Sequence, residues 1–101
     1  MAGLLFKRSD EARALAFVFT SKLAPGAIIA QVLDLEAVPL ASGVNAVQVN
    51  DAVVYQGIVQ ALFTLGCDGY NYKASCRIKD TNGQILEIVG LLAVRDNINA
   101  M

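Results

Sequence analysis

The chain has 101 residues and no histidine, so the side chain that most often moves protons near neutral pH is missing. Chemistry has to be sought among its thiols, carboxylates and cations. Cys67 and Cys76 are the only two cysteines. Without histidine or a third cysteine they fall short of the ligand count of an ordinary zinc site. A disulfide between them is also unexpected, because nine residues of extended chain span roughly 30 Å, whereas bonded cysteines hold their Cα atoms within about 7 Å. Both read as packing residues.

The carboxylates and cations follow the same trend. Asp34 and Glu36 share one face of a strand, the spacing of a candidate acid pair, but exposed carboxylates in that arrangement read as a solvated face. Lys73, Arg77 and Lys79 make a basic stripe with Asn71 and Ser75. Three cations without interleaved exposed aromatics are a weak basis for nucleic-acid binding. The segment GCDG, Gly66 to Gly69, lacks the GK[ST] ending and the following helix of a phosphate loop, and reads as a turn. No catalytic, cofactor-binding or metal-ligating residue is therefore assigned. No cofactor is expected, and the chain is not expected to be an enzyme.

The elements that position these residues are strands. In DGYNYKASCRIKDTNGQILEI, Tyr70, Tyr72, Ala74, Cys76 and Ile78 occupy one phase of a two-residue period, and Asn71, Lys73, Ser75, Arg77 and Lys79 occupy the other. The first set is expected to face inward with Phe17 and Phe19. Asp80-Thr81-Asn82-Gly83 then supplies a reversal, with a positive-φ turn at Asn82-Gly83, into a strand from Gln84 to Val94.

Upstream, Ala14–Thr20, Ala27–Glu36, Val44–Val49 and Val53–Leu65 are rich in β-branched and aromatic residues. Turns are expected at Pro25-Gly26, Ser42-Gly43, Asn50-Asp51 and Gly66 to Gly69. The longest run is expected to bend or break at Gly57. Ser9 to Ala16 offers at most one short helical turn. Six or seven short strands without alternating helices predict an all-β, antiparallel immunoglobulin-like β-sandwich. Tyr72, four residues after Asp68, suits the tyrosine that ties the start of a penultimate strand to upstream backbone. Residues 9–96 form this single domain, with an N-terminal arm at 1–8 and a C-terminal tail at 97–101 outside the strand pattern.

Composition bears on how such a domain would work. Hydrophobic residues make up 55% of the chain. Counting glycine and leaving out tyrosine brings the apolar share to roughly 60%, where 45–50% is usual, which is more than a small core needs. The surplus is expected to meet another subunit. A membrane span is not expected, because the longest uncharged run after Asp51, AVVYQGIVQALFTLGC, is short and interrupted by Gln56 and Gln60. The N-terminus lacks the order of a secretory signal, so synthesis and folding in a cytoplasm are expected. A net charge of -1 gives no general attraction to nucleic acid or to anionic membrane.

The segments SDEARALAFVFTSKLAPGAIIAQ and LGCDGYNYKASCRIKDTNGQILEIVGLLAVRD resemble the small tailed-phage virion proteins known as fibre-tail adaptors. The matching positions are Leu23 to Gly26 with Ile28, then Leu65, Gly66, Gly69 and Tyr72, and finally Thr81, Gly83 and Glu87. Thr20-Ser21-Lys22 stands where many such adaptors carry Asp-Trp. The resemblance spans residues 9 to 96. It implies an immunoglobulin-like structural subunit, present in several copies in a symmetric ring of the tail or neck, that holds fibres or other virion proteins in place. A capsid decoration protein is a variant of that reading. A stand-alone recognition module for adhesion or carbohydrate is the alternative from another class.

Overall fold

The computed structural model describes residues 4–96. These form seven strands: β1 (Leu4–Lys7), β2 (Arg13–Val18), β3 (Ile29–Pro39), β4 (Val47–Tyr55), β5 (Ile58–Leu65), β6 (Asn71–Asp80) and β7 (Ile85–Val94). They build a four-stranded sheet in the order β1-β7-β6-β3 and a three-stranded sheet in the order β2-β5-β4. All pairings are antiparallel except β1 with β7, which is parallel.

The two sheets face each other across the apolar inward phase of each. Leu15, Phe17 and Phe19 from the β2 segment and Val59, Ala61 and Phe63 from β5 are buried against Tyr72, Ala74, Cys76 and Ile78 of β6 and Ile88, Leu92 and Val94 of β7. Phe17 and Phe63 meet with ring centroids 6.3 Å apart and planes inclined by 40°. Each large side chain taken out of water contributes on the order of 2 kcal/mol, so the aromatic layer is a main source of cohesion.

The inward phase of β6 from Tyr72 to Ile78 and the burial of Phe17 and Phe19 are as the sequence predicts. Tyr70 differs. It precedes β6 and is exposed, where the ladder ends: its amide donates back to the Cys67 carbonyl at 3.3 Å, and the Gly69 amide donates to the Val94 carbonyl at 2.8 Å instead. Ser75 also differs from its outward neighbours in being buried, a short side chain in a central strand between Glu36 and Val89 in register.

Turn chemistry sets most of the boundaries. Gly57 lies in the reversal between β4 and β5, so the long apolar run breaks there as expected. At the β6–β7 reversal, the Gly83 amide donates to the Asp80 carbonyl at 3.0 Å and the Asp80 amide to the Gln84 carbonyl at 2.9 Å. Gly83 takes φ +84°, but Asn82 does not enter the positive region. The result is a three-residue loop with a glycine bulge rather than a two-residue turn. The Asp80 carboxylate holds it by accepting the Asn82 and Gln84 amides at 2.9 and 2.8 Å.

Two expected boundaries move. Asn50-Asp51 is not a turn but a bulge inside β4, where the register shifts and Asp51 takes φ +54°. Asx residues tolerate that conformation in either setting. The N-terminal arm also begins differently, since Leu4–Lys7 pairs with Leu91–Val94 instead of lying outside the sheet. Four residues are too few to show a period, and their partner strand lies at the far end of the sequence. At Ser9 to Ala16 a single turn, closed by the Glu11 amide on the Arg8 carbonyl at 3.2 Å, gives way to strand at Arg13. The expected tail, 97–101, lies outside the described residues.

Candidate contact surfaces

The outward face of the three-stranded sheet is the most distinctive surface of the described residues. Register places Val18, Ile58 and Tyr55 on one rung, Ala16, Gln60 and Val53 on the next, and Ala14, Leu62 and Asn50 on the third. None of the nine carries a charge. Val18, Val53 and Tyr55 are exposed by 53, 61 and 69%. An antiparallel sheet with one face on the core normally shows polar residues on the other. Here seven of the nine positions on the three rungs are apolar, and that is where part of the compositional surplus has gone.

The outer face of the four-stranded sheet is different in character. Lys73, Arg77 and Lys79 are exposed there, as expected, with Arg77 in register between Asp34 of β3 and Glu87 of β7. Glu36 is exposed on the same strand as Asp34. Three cations are thus interleaved with three carboxylates, and the face has no dominant sign of charge. Asp34 and Glu36 lie open on an edge strand, the solvated face expected of them. Toward β1 the surface turns apolar again at Phe6 and Leu91, both partly exposed.

The loops at one end of the molecule are pinned by Tyr72. Its ring is fully buried, and its hydroxyl donates to the Asn45 carbonyl at 2.6 Å and accepts the Cys67 amide at 2.8 Å. Burial raises the phenol's pKa above the usual 10.0, so it stays a donor. Gly66 makes this approach possible. It takes φ +106°, and a Cβ there would stand 2.9 Å from Val47 Cγ2 and 3.0 Å from Val94 Cγ2. GCDG is therefore a packing turn.

The cysteines are free. Cys76 is fully buried, with burial pushing its thiol up to about 12, and Cys67 is half-buried in the loop. Among the described residues no group of three or more His, Cys, Asp or Glu is placed to hold a metal ion, and no helix is long and apolar enough to cross a membrane.

Sequence reasoning misses two features. It places Lys7 in an arm, yet the side chain is fully buried at the end of β1, where the ammonium donates to the Arg8 carbonyl. Burial lowers its pKa from 10.5, against the opposing pull of Glu11, Asp10 and Asp96. Nor does it locate the outward apolar face. The signal is present in ALAFVF and VVYQGIVQALF, where both phases of the two-residue period are apolar. No protein-family model matches the chain, and no curated protein matches it.

Proposed function

We propose that this chain is a structural protein of a tailed bacteriophage, a multi-copy adaptor of the tail or neck that links fibres or other virion components. The observation that carries the reading is the largely apolar outer face of β2, β5 and β4, charged only at Asp51 in the β4 bulge, whose exposed Val18, Val53 and Tyr55 suit a lasting contact better than open water. Its partners are then other virion proteins and copies of itself, without nucleic acid or membrane. It works without cofactor or catalysis, and its place is the virion after assembly in the host cytoplasm. The resemblance across residues 9 to 96 supplies the phage setting.

The finer fold belongs to the same proposal. We read the two sheets as an immunoglobulin-like sandwich in which the first strand has joined the sheet of the last two. The strand orders β2-β5-β4 and β7-β6-β3 support it, as does a tyrosine near the start of the penultimate strand bonded to upstream backbone.

Mass spectrometry of purified particles tests the reading, with copy number taken relative to the major capsid protein. The chain should be present in a fixed multiple. Absence from particles, together with a soluble monomer that binds a sugar or peptide through one loop end, would favour the recognition module.

A further inference from the structure

We infer that the free edge of β2 pairs with β2 of a second copy, antiparallel about a two-fold axis, joining two three-stranded sheets into one of six strands. The inference rests on the multi-copy reading above and specifies one contact within it, a two-fold pairing that joins copies in twos.

Four strands lie at sheet edges: β1, β3, β2 and β4. Three of them carry features that discourage further pairing. β1 has only four residues. β3 is broken by two register shifts, between Ile29 and Gln31 and between Val32 and Asp34, and exposes Asp34 and Glu36. β4 is bulged between Asn50 and Val53, with Asp51 at positive φ. β2 has none of these. Its register with β5 runs unbroken from Arg13 to Val18, and after Arg13 it is uncharged. Among the described residues no strand pairs with its other side.

The backbone of β2 is aimed for such a pairing. The Phe19 amide donates to the Gly57 carbonyl at 2.8 Å, which continues the β2–β5 register by one residue. Odd-numbered residues of β2 therefore bond to β5, and Ala14, Ala16 and Val18 direct their amides and carbonyls to the open edge. Those three are exposed and small or β-branched, so nothing bulky shields the edge.

A second copy of β2 fits because the strand is self-complementary. Side chains keep their face only when opposed residues have the same parity. Placing Ala16 on the axis sets Ala14 of each copy opposite Val18 of the other, for about six hydrogen bonds between copies. The two Arg13 side chains then stand at opposite ends of the ladder, roughly 20 Å apart, and do not repel. On the outer face, the rung of Tyr55, Ile58 and Val18 continues into Ala14 and Leu62 of the other copy. The apolar face of one sheet becomes half of a larger one.

Sedimentation equilibrium tests the pairing. The wild-type chain should show a concentration-dependent dimer, and Ala16→Lys, which brings two ammonium groups face to face, should weaken association at least tenfold. Because Ala16 is exposed, this variant should melt with wild type at concentrations where both are monomers. A second variant, Ala16→Cys in a Cys67→Ser background, should form a disulfide-linked dimer on mild oxidation, since opposed residues in such a pair lie about 5.5 Å apart at Cα. That crosslink decides the matter if Ala16→Lys fails to fold. A folded Ala16→Lys that associates like wild type would overturn the β2 edge while leaving self-association intact. A wild type that stays monomeric, with no crosslink in the Ala16→Cys variant, would overturn both.

Discussion

The Tyr72 hydroxyl spans two loops: it donates to the Asn45 carbonyl at 2.6 Å and receives the Cys67 amide at 2.8 Å. One atom thereby satisfies backbone groups on the segments entering β4 and β6. Tyr72→Phe removes a donor and an acceptor together and leaves both partners to find water. Thermal or urea unfolding should show a loss of about 1–2 kcal/mol. A variant as stable as wild type would mean that the bond contributes nothing in solution.

Gly66 and Gly83 both take positive φ, but they should respond differently to substitution. At Gly83 no atom lies within 4 Å of a would-be Cβ, so Gly83→Ala costs backbone strain alone, about 1 kcal/mol. At Gly66 the same strain is joined by collision with Val47 and Val94, and Gly66→Ala should cost roughly 2–4 kcal/mol. The ranking is the test: equal midpoints in denaturant for the two variants would contradict the packing at Gly66.

Thiol labelling of the native protein should find one fast site. Cys67 is half-buried in a loop, whereas Cys76 is fully enclosed and its thiol is pushed up to about 12, leaving little thiolate near neutral pH. Denaturant should release the second thiol. Fast reaction of Cys76 without denaturant would place β6 in the opposite phase.

How far these sites are legible in the sequence depends on contrast between the two phases of each strand. In β6 one phase is apolar and the other charged, so Tyr72, Ala74, Cys76 and Ile78 declare their side, and the tyrosine bond to upstream backbone can be expected from Asp68 to Tyr72. In β2 and β5 both phases are apolar. The chain reads as strand and its phenylalanines mark the inward phase, but nothing in it says that Val18 and its neighbours form one exposed apolar face. Only the register does. Asn50-Asp51 carries the same residue preference for a turn as for a bulge, and pairing with β5 chose the bulge. β1 is four residues long and held by a partner at the other end of the sequence, so no local pattern marks it.

Lys7 shows the same limit, since a lysine reads as exposed until its surroundings are known. Its ammonium is buried, with the Arg8 carbonyl as its acceptor. Lys7→Met should therefore keep the packing of the stem, remove a desolvated charge and raise stability by about 1 kcal/mol at neutral pH. The folded-state pKa lies below 10.5, so the unfolded chain binds more protons between the two values, and Lys7 makes stability rise with pH in that window. Cys76 acts in the opposite sense above pH 9, because its folded-state pKa is the higher one. The diagnostic quantity is thus the gap between Lys7→Met and wild type, which should narrow as pH approaches 10.5. A gap that stays constant would mean that Lys7 is solvated.

The parallel pairing of β1 with β7 has a consequence for load. Leu4 lies beside Leu91 and Lys7 beside Val94, so the two terminal strands run the same way and the chain leaves them at opposite ends. Traction applied through residues flanking 4 and 96 pulls β1 and β7 past each other along their length. Their hydrogen bonds, including that from the Arg95 amide to the Lys7 carbonyl at 2.9 Å, are then strained together in shear rather than opened one at a time. The short strand that the sequence hides would act as a mechanical clamp, and a protein tethered at both ends would resist tension through those few bonds before its core was disturbed.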